Sequence, residues 1–447
     1  MRDSGSIPFF VALRFWLKLG FISFGGPAGQ IAIMHSDLVE KRRWVSEKRF
    51  LHALNYCMLL PGPEAQQLAT YLGWLMHRRW GGIVAGALFV LPSLLILIGL
   101  SWLYMAFGQQ PLVAGLFYGI KPAVCAIVLQ AAWRIGGRTL HNRWLWAIAV
   151  LAFVAIFALQ LPFPLIVAGA AALGWLGGHV RPAAFQTGGH ASAAKSYGPA
   201  LIDDDTPTPP HARFSWTRLA LILGAGALLW LLPMGLLTVL CGWPHLLTQT
   251  GWFFTKAAFL TFGGAYAVLP YVYQGAVLHY AWLTPTQMID GLALGETTPG
   301  PLIMVVAFVG FVGGWSEATQ MASGAFLSGP AILLMAVAGA CVATYFTFLP
   351  SFILIFAGGP LVESTRDDLK FTAPLTAITA AVVGVILNLA LFFAWHVLWP
   401  QGFAGSLEWP ALLIALCAAV ALLRFKANVM AVIGACALAG LLLQGLR

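Results

Sequence analysis

Apolar residues run almost unbroken along this chain, in stretches of about twenty separated by short polar turns. A bilayer core of about 30 Å needs about 20 helical residues at 1.5 Å each. Spanning helices are therefore expected at 82–107, 112–133, 144–160, 163–179, 216–240, 320–345, 372–398, 410–423 and 428–444. Ten-residue alternating strands, the mark of a membrane barrel, are missing from the pattern. The fold class read from it is an all-α polytopic membrane protein. One stretch differs: 181–214 is polar and Pro-rich, too poor in apolar residues to bury a core, and is expected to be a disordered linker. The chain then divides into an N-terminal membrane repeat (1–180), the linker (181–214), an inverting helix (215–245) and a C-terminal membrane repeat (246–447).

The two halves repeat. A shift of 238 residues aligns 15–63 with 253–301 without a gap, and twelve of the 49 positions are identical. Those matches include Lys18, Gly25, Gly26, Trp44, Pro61, Gly62 and Pro63, residue types that apolar segments do not share by chance. A shift of 258 aligns 91–132 with 349–390, through Leu91-Pro92-Ser93 and Leu349-Pro350-Ser351; the difference of 20 is an insertion in the second half.

Composition agrees: 60% of the 447 residues are hydrophobic and 9% charged, where a soluble domain carries about 25% charged residues. A soluble enzyme or cytosolic binding module is excluded. The net charge of +9 sits in short loops, with no aromatic-interleaved basic run of the kind nucleic acid needs, so it is read as topology. Loop 41–49, His77-Arg78-Arg79 and loop 134–143 are basic in the first half, whereas their partners near 278–287, 314–320 and 392–401 carry no Lys or Arg. The uncharged turns 107–111 and 160–164 have partners bearing Arg366, Lys370, Arg424 and Lys426. Positive loops stay inside, so the two repeats are expected to be inserted upside down relative to each other, with helix 216–240 as the odd crossing. Inverted repeats are a transporter signature. Six cysteines stand alone, without a CxxC pair, so no disulfide framework or metal site is suggested. The N-terminal residues lack a cleavable signal pattern.

Four apolar segments are too short or too broken to span. In the first half 9–24 stops at Gly25-Gly26-Pro27 and resumes at 28–39; 50–60 stops at Pro61-Gly62-Pro63 and resumes at 64–76. The second half repeats this at Phe262-Gly263-Gly264 and Pro299-Gly300-Pro301. Pieces of 11–16 residues cover about half a bilayer, so these are read as re-entrant hairpins, tolerated only where they line a cavity or lie inside protein. Each break starts a new helix whose first N–H groups carry partial positive charge. Four such N-termini, at Ala28–Gln30, Glu64–Gln66, Ala265–Ala267 and Leu302–Met304, are a candidate anion site. Lys18 and Lys256, related by the repeat, would add full charge. Gln66, Gln67, Thr297 and Thr298 are candidate hydrogen-bond donors, and Glu64 and Glu296 candidate proton-coupling carboxyls. Arg14 is read as an interface anchor, and the repeat-related His52 and Asp290 are expected to face a loop or satisfy each other's surroundings rather than bind substrate. Lys121, inside a span, is functional by default. HExxH, GxSxG and Walker motifs are absent, which argues against an enzyme and against ATP as the power source.

The motifs Phe21-x-x-Phe24-Gly25-Gly26-Pro27, LPGPEAQQLA at 60–69 and LPS at 91–93, with FGG at 262–264 and TTPGPL at 297–302, resemble the chromate ion transporter (CHR) family in its long, two-domain form. The resemblance covers nearly all of the chain outside the linker. It implies a secondary transporter without cofactor that exports chromate across the bacterial inner (plasma) membrane and confers resistance, with sulfate as the structural analogue. It places function on Gly25, Gly26, Pro27, Pro61, Gly62, Pro63, Glu64, Gly263, Gly264, Pro299, Gly300 and Pro301. The expected partners are chromate or a sulfate-like oxyanion, protons and the bilayer, with no nucleic acid; a homo-oligomer stays open. A transporter of another oxyanion and an anion channel are the alternatives. In the second repeat Ala265 and Leu302 replace Pro27 and Glu64, so the halves are not expected to contribute equally.

Overall fold

The computed structural model describes residues 7–24, 26–185, 197–207, 209–322, 329–364 and 372–445, and the described residues form helices joined by short turns. The first half contains α1 (Phe9–Ile22), α2 (Gly26–His35), α3 (Glu47–Leu59), α4 (Glu64–Phe107), α5 (Pro111–Thr139), α6 (Arg143–Phe157), α7 (Phe163–Val180) and the single turn α8 (Pro182–Phe185). Then come α9 (Trp216–Cys241), α10 (Leu246–Leu260), α11 (Ala265–Tyr273), α12 (Pro285–Thr297), α13 (Val305–Ala322), α14 (Gly329–Ser364), α15 (Thr372–Leu398), α16 (Trp409–Leu423) and α17 (Val429–Gly445). Seven helices among the described residues are long and apolar enough to cross a membrane, and α6, α16 and α17 are shorter apolar helices. Together these features make the chain a polytopic all-α membrane protein. α9 has Leu221, Leu228, Leu232 and Leu236 all exposed, as a helix surrounded by lipid requires.

The repeat recurs in local structure as well as in sequence. α2 runs into a π-helix at Ser36–Lys41 and α11 into another at Gln274–His279, 238 residues later. Arg43 and Ala281, which follow them, both have positive φ, at 51° and 52°. Ser46 caps α3 through the Arg49 N–H; Thr284, its counterpart, caps α12 through Gln287 in a full capping box. α4 reverses at His77 and Arg78, whose backbone is non-helical, so that Gly73 can lie against Gly81 and Ala85. In the second half Gly310 lies against Gly339 and Ala343 in the same way. The 20 inserted residues fall between these arms, which lengthens the second hairpin without altering its base.

The Ile7 carbonyl meets His77 Nε2 at 2.7 Å, and Leu246 and Trp282 lie against Gly313. Between the halves α4 and α14 pack through Gly82 and Gly86 against Phe356 and Phe352. Small residues at such positions let helix backbones approach closely, the usual basis of helix association in lipid.

Three expectations change. The span expected at 320–345 straddles two helices, α13 and α14, because the apolar run from 300 to 362 offers little polar punctuation to mark a break. By length the segment Leu302–Met321 is able to span, where a half-helix was expected. Much of the stretch read as a disordered linker is packed. Val45 pairs with Ile202, Ser46 Oγ donates to Asp204 Oδ1 at 2.6 Å, Arg49 donates to the Thr206 carbonyl, and His211 Nε2 sits 3.0 Å from the Trp74 carbonyl. Its order comes from partners on the first hairpin pair, which composition does not register. Gly25, Arg366, Lys370 and linker residues 186–196 and 208 lie outside the described residues.

Candidate functional site at the helix breaks

The four breaks meet in crossed pairs, each joining one half to the other. The Gly62 N–H donates to the Thr261 carbonyl at 2.7 Å, and the Gly300 N–H donates to the Ser23 carbonyl at 2.8 Å. Ser23 and Thr261 occupy the same repeat position, as do Gly62 and Gly300, so the two bonds are counterparts. Each Pro-Gly-Pro turn is thus tied to the glycine break of the opposite repeat. Gly62 (φ 132°) and Gly300 (φ 105°) hold backbone that L side chains rarely adopt, and any Cβ there would strike Ser351 Oγ at 2.3 Å or Ser93 Cβ at 2.7 Å. Those serines belong to the Leu-Pro-Ser motifs of the other half.

The first crossed pair comprises Pro61-Gly62-Pro63, the start of α4 and Gly264. Glu64 opens α4, and its Oε1 lies 3.9 Å from where a Gly264 side chain would begin. Gln67 Nε2 donates to the Pro61 carbonyl at 2.8 Å, and Gln66 Nε2 donates to Thr70 Oγ1 at 3.0 Å, which leaves both Oε1 atoms buried and unpaired. The second comprises Pro299-Gly300-Pro301, Gly26 and Pro27 at the start of α2, and the turn Leu302–Met304 that leads into α13. Here Gln30 Nε2 donates to the Gly300 carbonyl at 2.5 Å and to the Ser23 carbonyl at 3.3 Å, pinning both partners. A small crevice lined by Gly26, Gly295, Glu296, Thr298, Gly300 and Leu302 holds the second carboxyl. The Tyr266 hydroxyl donates to Glu296 Oε1 at 2.5 Å, and Arg134 acts on the same carboxyl electrostatically.

Not every candidate joins these clusters. Lys18 is exposed with Arg14, Leu17 and Phe21 on the outer stripe of α1, opposite the buried Phe15 and Leu19. Lys256 is exposed beside Trp252 and Phe259, with Nζ 5.6 Å from the Trp252 ring centroid, on the wall of an outer groove of about 1560 Å³. That groove is lined by aromatic residues, among them Tyr271, Tyr273 and Phe392, and contains neither Pro-Gly-Pro turn. Thr297 and Thr298 direct their hydroxyls to carbonyls of their own helix, Leu294 and Gly295, at 3.0 and 3.1 Å. Gly263 lies near Thr379.

Two further polar constellations join the halves. Lys121 Nζ is 3.5 Å from Asp290 Oδ2, which also accepts from the Tyr104 hydroxyl at 2.8 Å. Asp290, expected to face a loop, is 2% exposed and carries this ion pair. Its counterpart His52 lies 3.3 Å from the Val362 carbonyl, and Val362 is the repeat counterpart of Tyr104. Arg49 Nη1 lies 3.7 Å from Glu363 Oε2, and the Tyr71 hydroxyl donates to Glu363 at 2.6 Å. Arg134 and the two serines escaped sequence reading as site residues, and so did the side-chain bonds of Tyr266 and Gln30, whose backbone alone was placed at the candidate helix starts. The one available signal was the repeated Leu-Pro-Ser, used only for alignment.

The chromate transporter family model matches residues 10–175 and 248–441, both halves without the linker. The chain is 30% identical over 417 residues to the chromate transport protein of Cupriavidus metallidurans, covering 93% of this chain and 88% of that one. It is 32% identical to the chromate transport protein of Pseudomonas aeruginosa (83% of this chain, 77% of that one) and 29% to a probable chromate transport protein of Synechococcus elongatus (83% and 81%). No solved structure gives a significant match. With both halves matched, and with relatives at about that identity along most of its length, this multi-pass bacterial membrane protein belongs to the chromate transporter family.

Proposed function

We propose that the protein is a secondary transporter that exports chromate across the bacterial inner membrane and so confers resistance, working by alternating access between two inverted repeats. The observation that carries this reading is the crossing of the breaks. Each helix start that could stabilise an anion stands against backbone from the other repeat, so a rocking of one repeat on the other would expose the site to one side or the other. Inverted insertion is supported by the basic loops 41–49 and 77–79, whose counterparts carry no Lys or Arg. The helix starts at Gly26, Glu64, Ala265 and Leu302, with the glycines and prolines before them, are the proposed anion cradle. Glu64 and Glu296 are the proposed proton carriers, one in each crossed pair. Lys18 and Lys256 contribute positive potential from outside rather than contact.

Energetics favour outward movement. A dianion leaving a negative-inside cell gains about 2.3 kcal/mol per charge per 100 mV, about 7 kcal/mol at roughly 150 mV. That corresponds to a gradient of about 10⁵-fold. Importing the same ion would require on the order of three co-transported protons to make entry electrically favourable.

The test is chromate flux into inside-out vesicles of the purified protein, with the potential clamped and sulfate as competitor. Concentrative uptake at zero potential that requires a proton gradient is the expected result. Flux that follows potential alone and is unchanged in Glu64→Gln and Glu296→Gln would mean a uniporter or an anion channel. Brisk sulfate flux without chromate flux would replace the substrate.

A further inference from the structure

We infer that Ser93 and Ser351 supply the hydroxyl ligands of the transported anion, one to each crossed pair of breaks. The assignment rests on the oxyanion reading above and adds to it the side chains that hold the ion. Ser93 is 0% exposed and Ser351 1%, and neither hydroxyl has a hydrogen-bond partner among the described residues. A buried hydroxyl left unpaired is costly, and the great majority are satisfied. Ser23, Thr70 and Thr347 show the ordinary solution, each donating to the carbonyl four residues back at 2.6–2.9 Å. The two Leu-Pro-Ser serines do not. Ser101 and Thr250 are also buried and unpaired, and what sets Ser93 and Ser351 apart is their contact with the Pro-Gly-Pro turns.

They press instead on the Pro-Gly-Pro turns. Ser351 Oγ lies 2.3 Å from the Cβ position of Gly62, and Ser93 Oγ 3.1 Å from that of Gly300. Glu64 and Leu302, where the next helical segments begin, follow two residues later, so each hydroxyl stands beside backbone N–H groups that have no helical acceptor. Gln66, Gln67 and Gln30 face the same turns with unpaired carbonyl oxygens, but amide N–H groups of all three are engaged inside the protein. Gln30 has both amide N–H groups engaged and Gln66 and Gln67 one each, so in each pair the serine hydroxyl is the side-chain donor group left without any partner among the described residues. Because it comes from the opposite repeat, relative motion of the repeats would separate it from the helix start and loosen the ion. A tetrahedral dianion such as chromate or sulfate, with acceptor oxygens on every face, fits a donor set of hydroxyl and N–H groups.

The experiment measures equilibrium binding of chromate and of sulfate to the purified full-length protein and to Ser93→Ala, Ser351→Ala and the double variant, with thermal unfolding of each without anion. Loss of a hydrogen bond to a charged group weakens binding about tenfold or more. Each single variant is expected to lose about that for both anions, and the double variant to lose more, while the anion-free melting temperature stays level or rises. Removing an unpaired buried hydroxyl relieves its desolvation cost, whereas a serine that holds the fold through its hydroxyl would lower the melting temperature when replaced. Wild-type binding with unchanged affinity in the variants overturns the serine assignment and leaves the oxyanion reading standing. A fall in melting temperature that accompanies the affinity loss also overturns it, as the hydroxyls would then be packing elements. Wild-type protein that binds neither anion overturns the oxyanion reading itself and this assignment with it.

Discussion

The two crossed pairs of breaks share a backbone plan and differ in their chemistry. Both have a Pro-Gly-Pro turn bonded through its glycine N–H to the opposite half, and a serine pressed on that glycine. In the first, Glu64 opens α4 directly, with no hydrogen-bond partner for its carboxyl among the described residues. In the second, Leu302 stands at that position, and the carboxyl comes from Glu296 at the end of α12, held by Tyr266. Duplication preserved what the backbone needs, namely positive φ and close approach, and left the charged groups free to diverge. Of the two proposed proton carriers, Glu64 is thus unbonded among the described residues and Glu296 is held by Tyr266.

The sharpest test of that difference is to neutralise each carboxyl. Glu64→Gln is expected to abolish proton-driven chromate accumulation in vesicles, whereas Glu296→Gln should keep a measurable part of it. Equal losses would erase the distinction. Next in size are the contacts of the repeat-related pair Asp290 and His52. Lys121→Ala strips the cation from a buried carboxylate and should cost about 3–5 kcal/mol, while Lys121→Met with Asp290→Leu should be close to neutral. His52→Ala, at the matching position of the first half, should cost about 1 kcal/mol or less, since one half-buried contact is lost. Denaturation of the purified variants measures both.

The glycines probe what the halves share. Gly62→Ala and Gly300→Ala should each destabilise by about 1–3 kcal/mol for the backbone alone. Gly62→Ala should be the worse, because its Cβ would meet Ser351 Oγ at 2.3 Å. Adding Ser351→Gly should recover part of that loss and leave Gly300→Ala unaffected. The smallest effect concerns the linker strap, which bonds to Ser46, Arg49 and Trp74 of the first half and whose Ala212 also packs in one cluster with Ile355 and Val362 of the second. Burial lowers the His211 pKa from its usual value. The neutral ring is the bound form, so the strap is fully held above the ordinary histidine pKa of about 6.5 and weakens as pH falls below it toward the lowered value. Proteolysis within 197–213 should accelerate from pH 7.5 to 5.5, and His211→Ala should remove that dependence.

Sequence alone determined the class of molecule, the duplication and the location of the breaks. Sixty per cent hydrophobic residues force lipid as solvent, and both Pro-Gly-Pro turns interrupt helices, whereas Gly-Gly does so at 263–264 but not at 81–82, 136–137 or 358–359, which lie inside helices. These are local consequences of composition and backbone sterics. Tertiary structure decided which break faces which, and with it the pairing of Lys121 with Asp290, the outward placement of Lys18 and Lys256, and the packing of a stretch that composition marked as disordered. It also extended α13 to Ala322, past the midpoint expected for a half-helix. Partners separated by some 160–300 positions leave no periodic trace in the chain. An amide, a hydroxyl or a carboxylate is chosen for the group that packing brings to it, and the sequence shows only the residue that waits there.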